Sequence, residues 1–162
     1  MIFVYDRRVE DVMRATLLHG KVESGGFDTL STEEKAEWMA GLKGAYNVTT
    51  DLARVENNTG EIARFIREAG YPAPADTYHG WGFDSFPTQA QMERVRRNVE
   101  ILRNALPVPE ATPQVPSSLD KMDIQKANDI EKILYDVWLV AKSTQQNGRY
   151  VNTFYAGGAG QL

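Results

Sequence analysis

Few residues in this chain have the types and spacing that chemistry needs. His19 and His79 stand in different segments, and there is no cysteine, so the three or four nitrogen or sulfur donors of a zinc site are not on offer. Paired carboxylates serve glycoside hydrolysis. The pairs present, Glu34 with Glu37 and Asp120 with Asp123, fall at or beside helix starts, where acidic side chains suit the helix dipole. No Gly-rich phosphate loop, G-x-S-x-G elbow or cysteine nucleophile is written anywhere. The expectation is a chain without catalytic residues, cofactor or metal. One cluster remains: Trp81 with Tyr78, Phe83 and Phe86 offers aromatic faces that either stack on a sugar ring or pack the loop that carries them. The stretch Tyr78 to Phe86 is therefore the alternative functional reading, a receptor- or glycan-binding module.

Composition bounds the rest. With 162 residues, the chain is long enough for one core and reads as a single domain over 1–162. Lys and Arg total 18 against 22 Asp and Glu, a net charge of −4, which gives no basic field to recruit nucleic acid. The local cluster Arg94, Arg96 and Arg97 is matched by Glu93 and Glu100 and reads as a solvated helix face. The opening "MIFVYDRR" is too short an apolar run to span a bilayer or form a signal-peptide core, so no membrane insertion is expected.

The periodicity predicts a mostly α fold: a compact bundle of about five helices over 6–143, an N-terminal arm over 1–5 and an extended C-terminal arm over 149–162. Asp6 is the expected cap of a first helix running to His19, with Gly20 as its stop. Ser31 with Glu34 forms a capping box for a second helix to Lys43, ended by Gly44. A third runs from Thr50 to Ala69, stopped by Gly70 and Pro72. "YPAPADTYHGWGFDSFP" has three prolines, two glycines and five aromatics, and should be an ordered loop packed on the bundle. Thr88 and Gln91 open a fourth helix to Leu106; "PVPEATPQVPSS" is a proline-rich crossover strap; a fifth helix runs from Asp123 to Ser143.

One phrase is written three times, around Val55, Val95 and Ile130. Leu52, Met92 and Ala127 precede these by three residues, and Ile62, Leu102 and Val137 follow by seven, so each set lies on one helical face. Charged residues border the central position: Arg54 and Glu56, Arg94 and Arg96, Asp129 and Glu131. The segments between the copies differ completely, which favours a bundle over a stacked solenoid. Asn58 and Asn98 stand three residues after the centre in two copies, where an Asn either bonds backbone carbonyls or faces solvent; the third copy has Ile133.

These phrases carry a resemblance. "EWMAGLKGAYNVTTDLARVENNTGEIARFIREAGY", "FPTQAQMERVRRNVEILRNAL", "KANDIEKILYDVW" and "RYVNTFYAGGAGQL" together resemble a group of structural proteins of tailed phages and prophages of Gram-positive bacteria. Shared features are an Asp-Leu-Asn-Arg-Val/Ile-Glu phrase, a Pro-Thr helix start, an Asn-aliphatic-Glu phrase and a Tyr/Phe-Ser-Gly tail. The chain departs at Ala53, where the phrase has Asn, and at Ala156, where the tail has Ser. The resemblance covers most of the chain from Glu37 and implies a virion component, in the tail, baseplate or an adjoining adaptor, assembled in the host cytoplasm. Its implied partners are copies of itself and other virion proteins. It supplies no catalytic residue.

The tail also reads as a contact element. Tyr150, Asn152 and Phe154 alternate with Val151, Thr153 and Tyr155, a strand pattern rich in aromatic and β-branched residues. A lone strand needs a partner for its backbone. Either it pairs with Ile2 to Tyr5 of its own chain, or it adds to a neighbouring subunit. Tyr150, Val151, Phe154, Tyr155 and Trp81 are the candidate interaction residues.

Overall fold

A computed structural model describes the backbone of residues 1–82 and 84–156, with side chains through 146 apart from Phe83. Five helices follow in order: α1 (Val9–Gly25), α2 (Thr32–Ala40), α3 (Ala53–Glu68), α4 (Gln89–Ala105) and α5 (Ile124–Ala156). Among the described residues there is no strand. The fold is a mostly helical bundle.

Local chemistry fixes the helix starts. The Ser31 hydroxyl accepts from the Glu34 N–H at 3.2 Å while Glu34 accepts from the Ser31 N–H at 3.1 Å, a reciprocal cap on α2. Thr88 and Gln91 do the same for α4 at 3.3 and 2.8 Å. Asp123 caps α5 by accepting from the Lys126 N–H at 2.8 Å. A wide turn over Val48–Leu52 feeds α3, with the Asn47 carbonyl accepting from both Asp51 (2.8 Å) and Leu52 (3.1 Å).

Helix limits depart from the sequence reading in α1, α2 and α5. The first helix begins at Val9, because Asp11 rather than Asp6 caps it, accepting from the Arg8 N–H at 2.7 Å; Asp6 instead pairs with Lys43 at 2.9 Å. It runs through Gly20 to Gly25, and the left-handed turn comes at Gly26, φ 82°. The second helix ends at Ala40, with Gly41 at φ 91°. Gly44 has a different use: a Cβ there would sit 2.1 Å from the Asp11 carbonyl oxygen, so only glycine lets this loop lie on the start of α1. The last helix passes Ser143 and is not closed by Asn147-Gly148. Over Tyr150 to Tyr155, where the sequence pattern reads as a strand, the backbone continues α5 to Ala156; the rest of the expected arm, 157–162, lies outside the described residues, as do the side chains from 147.

The core lies between α3, α4 and α5. Leu52, Val55, Ile62 and Ile66 meet Val95, Val99 and Leu102, and both meet Ile130, Ile133, Leu134 and Val137, all buried. Each such aliphatic side chain contributes roughly 1.5–3 kcal/mol through burial. No residue of α1 or α2 joins this cluster. The α1–α2 hairpin has its own small buried set, Ala15, Leu18 and Leu30, with His19 against Trp38 at 4.7 Å.

Candidate interaction site

The repeated phrase places its apolar residues and its polar ones in one device. Leu52, Val55, Ile62, Val95, Leu102, Ala127, Ile130 and Val137 are buried, and Met92 packs against them half-buried. The residue before the centre, Arg54 or Arg94, reaches to the next helix and meets the glutamate after the centre of another copy. Arg54 bonds Glu131 at 2.6 and 3.1 Å, and Arg94 bonds Glu56, at 3.2 Å through Nη1 and again through Nη2. Glu56 and Glu131, expected at the border of the stripe, are almost wholly buried, 1% and 0% exposed. They lie inside because each has a guanidinium to neutralise it and further donors for its remaining lone pairs. Arg94 therefore leaves the solvated face to which sequence assigned it; Arg96 stays there, bonded to Glu93 and Glu100 at 2.9 and 3.3 Å.

The same residues hold two non-helical segments by the same pattern. Along α3 and α5, the Asn58 amide donates to the Ile2 carbonyl at 2.7 Å and the Val4 N–H donates to Glu131 at 2.8 Å. Along α4 and α3, the Asn98 amide donates to the Asp76 carbonyl at 2.6 Å and the Tyr78 N–H donates to Glu56 at 3.4 Å. In each, an Asn takes the carbonyl of one residue and a Glu takes the N–H two residues on. Extended backbone, which would otherwise seek a strand, finds its partners in side chains. The third groove, between α4 and α5, has Ile133 where the Asn would be. There the proline strap is held instead by Arg103 on the Pro113 carbonyl (2.8 Å) and by Thr112 on Asp136 (2.9 Å).

At the first strap the network grows. Arg7, 5% exposed, donates to Asp51 at 2.8 Å and to Glu131 at 3.0 Å, and Arg54 also reaches Asp51, at 2.5 Å. Two guanidiniums face two carboxylates, so the buried quartet carries no net charge. Burial alone lowers the Arg54 pKa, but the bonds to Glu131 and Asp51 more than offset this and leave it raised. Asn128 adds a pair of bonds to the Arg7 backbone, at 2.9 and 3.1 Å.

The aromatic loop divides. Trp81 packs against the core, half-buried, with Tyr78 edge-on at 5.1 Å, while Tyr78 and Phe86 are 45% and 87% exposed. Phe83 lies outside the described residues. His79 bonds Asn57 at 2.8 Å and Thr77 at 3.2 Å, a role within the loop. Tyr150, Val151, Phe154 and Tyr155 also lie outside the described side chains. Sequence reasoning missed a further exposed set: Val9, Met13 and Leu17 on α1, at i, i+4 and i+8, are 61%, 67% and 53% exposed, and Met39 on α2 is 78% exposed. The α1 spacing is that of a buried stripe, and spacing alone does not show that it faces solvent.

Among the described residues no group of three or more His, Asp or Glu is placed to hold a metal ion, and no helix is long and apolar enough to cross a membrane. Compared with known protein families, with curated proteins and with solved structures, the chain matches none.

Proposed function

We propose that this chain is a non-enzymatic structural subunit of a phage particle or phage-derived tail, in the tail, baseplate or an adjoining adaptor, assembling through helical surfaces and terminal arms. Two things support the reading: the sequence resemblance, and the contrast between a core whose buried ionisable groups are spent on holding backbone and a hairpin that exposes an apolar row. The row carries the argument. A water-facing helix normally turns such a row inward, and exposed apolar surface of this kind marks contact with another molecule. Mass spectrometry of purified particles, followed by locating the chain in their density, tests it. The chain in stoichiometric amount is the expected result; particles that assemble fully without it would end the proposal.

A second reading is favoured by the exposed rings of Tyr78 and Phe86, which offer faces for a sugar. Glycan titration of Phe86→Ala against the natural chain separates the two. Equal responses leave the assembly reading alone.

A further inference from the structure

The exposed row on α1 has a small-residue half. Val9, Met13, Thr16 and Gly20, spaced four, three and four, form one straight seam along the helix, with Leu17 on its flank. All are exposed, while Ala15 and Leu18 turn the opposite side of α1 into its own hairpin. The seam is graded in size: Val9 and Met13 fill its first half, a threonine and a glycine its second. Thr16 spends its hydroxyl on the Val12 carbonyl at 2.9 Å, so it can meet an apolar partner without losing a donor. Gly20 sits inside the helix, where glycine is a poor former, and outside its own helical turns no described atom lies within 4 Å of where its Cβ would be. The chain's own packing gives no reason for the missing side chain. Close approach of another molecule does.

We propose that α1 pairs antiparallel with α1 of a second copy of this chain, about a two-fold axis. The inference rests on the assembly reading above and names the partner of that surface. Antiparallel pairing lays the large half of each seam on the small half of the other: Val9 meets the partner's Gly20 and Met13 the partner's Thr16, and the two-fold repeats both contacts. Charge selects the same direction. Arg8, before the first turn, and Glu23, in the last, are exposed and make no ion pair among the described residues. The antiparallel pair brings Arg8 to the partner's Glu23 at each end, whereas a parallel pair sets like charge on like and large side chain on large.

A face that holds both the knobs and the holes, and both members of a charge pair, is complementary to itself. A second copy therefore carries its match by construction. The contact is small: α1 has 17 residues and is roughly 25 Å long, so one face of it falls short of the roughly 800 Å² per partner of a standard interface. The pair is accordingly reversible and concentration-dependent, a joint that fills when many copies are held close together.

Because the chain has no cysteine, single thiols report the register. Full-length Val9→Cys and Gly20→Cys chains, each altered at an exposed position, are mixed and oxidised mildly. The mixed disulfide dimer is expected at least ten-fold above that formed by either chain alone. In the antiparallel register two copies of either residue are offset by the 11 positions from Val9 to Gly20, roughly 16 Å along the axis, too far for a disulfide. Val9→Cys linking equally well to itself overturns the antiparallel arrangement, and absence of the mixed dimer overturns the pairing. Sedimentation of the full chain with Met13→Glu, its helix content checked by circular dichroism, is the second measurement. At least ten-fold weaker self-association than the natural chain, at unchanged helix content, supports the proposal. Equal sedimentation of the two refutes it, as does a natural chain that stays monomeric up to its solubility limit, which would leave the row to a different protein. Neither result bears on whether the chain belongs to a particle, which the mass spectrometry decides.

Discussion

The three-helix core and the α1–α2 hairpin use ion pairs of nearly equal length to different ends. Arg54 meets Glu131 at 2.6 Å with the carboxylate wholly buried, whereas Arg14 meets Glu37 at 2.9 Å with both side chains about 40% exposed. Distance does not separate them; solvent does. A buried carboxylate stripped of its partners has no water to turn to, so its bonds specify one arrangement of helices and straps. An exposed pair is replaced by hydration at little loss. The core thus uses charge as a lock, and the hairpin uses it as a surface.

The widest gap between the regions is expected for Glu131→Ala. This carboxylate accepts from Val4, Arg7 and Arg54, and its loss leaves two buried guanidiniums facing Asp51 alone. Breaking a buried pair in this way costs about 3–5 kcal/mol, a large share of a domain's stability. Urea denaturation of the full chain checks it, with Glu37→Ala as the hairpin counterpart, expected to leave the midpoint within experimental error. Comparable losses at both sites would break the contrast.

Next come the two asparagines. Asn58→Ala orphans the Ile2 carbonyl, and Asn98→Ala orphans the Asp76 N–H while the Asp76 carbonyl keeps Arg94; each should cost about 1–3 kcal/mol. The straps are separate and share no partner, so the double variant should lose the sum within about 0.5 kcal/mol. Strong non-additivity in denaturation would mean the two straps form one unit, and the repeated device would need another account.

How much of this was legible follows from how local each feature is. The starts of α2 and α4 were readable because Ser31 with Glu34 and Thr88 with Gln91 each complete a motif within four residues. The ends were harder: Gly20 and Gly44 look like Gly26 and Gly41, and only the fold decides which takes a positive φ. The central stripes were visible, but the glutamates beside them looked like a border, since their partners lie on other helices, 77 residues away for Arg54 and Glu131. A signal was present all the same: Arg before the centre in two copies and Glu after it in two, offset by one copy. The row Val9, Met13 and Leu17 carried the pattern of a core helix, and periodicity alone does not say which apolar stripe the chain itself covers.

Smaller effects sharpen the hairpin side. Ser31→Ala removes the hydroxyl that accepts from the Glu34 N–H, and should cost about 1 kcal/mol. Confined to the hairpin, the loss should appear as faster hydrogen exchange in α2 with α3 unchanged. Acceleration spreading equally to α3 would show the hairpin and core unfolding as one.

The gentlest test is acid. Glu34 is held below its ordinary pKa of 4.5, first by its bond to Lys21 at 2.6 Å and then by the Ser31 N–H, with Arg14 adding to it. Glu33 and Asp6 shift in the same direction, through hydrogen bonds to backbone and Ser31, and to Lys43, respectively. A carboxylate whose folded pKa is depressed contributes stability that is fully present above its unfolded value and lost as pH falls through the folded one. The hairpin should therefore hold at pH 6 and loosen progressively below about 4.5 as Glu34 gains a proton and both its cap and its lysine contact weaken. Amide exchange in α2, corrected for intrinsic rates and referred to α3, reads this directly: the opening free energy of α2 should fall between pH 6 and pH 3. High salt at pH 6 should reproduce part of the loss, because the Lys21 side chain is 41% exposed and its pairing is open to screening. If α2 protection is indifferent to both acid and salt, the hairpin is held by Leu18 and the Trp38 stack rather than by its charges, and the two regions differ less in kind than their ion pairs imply.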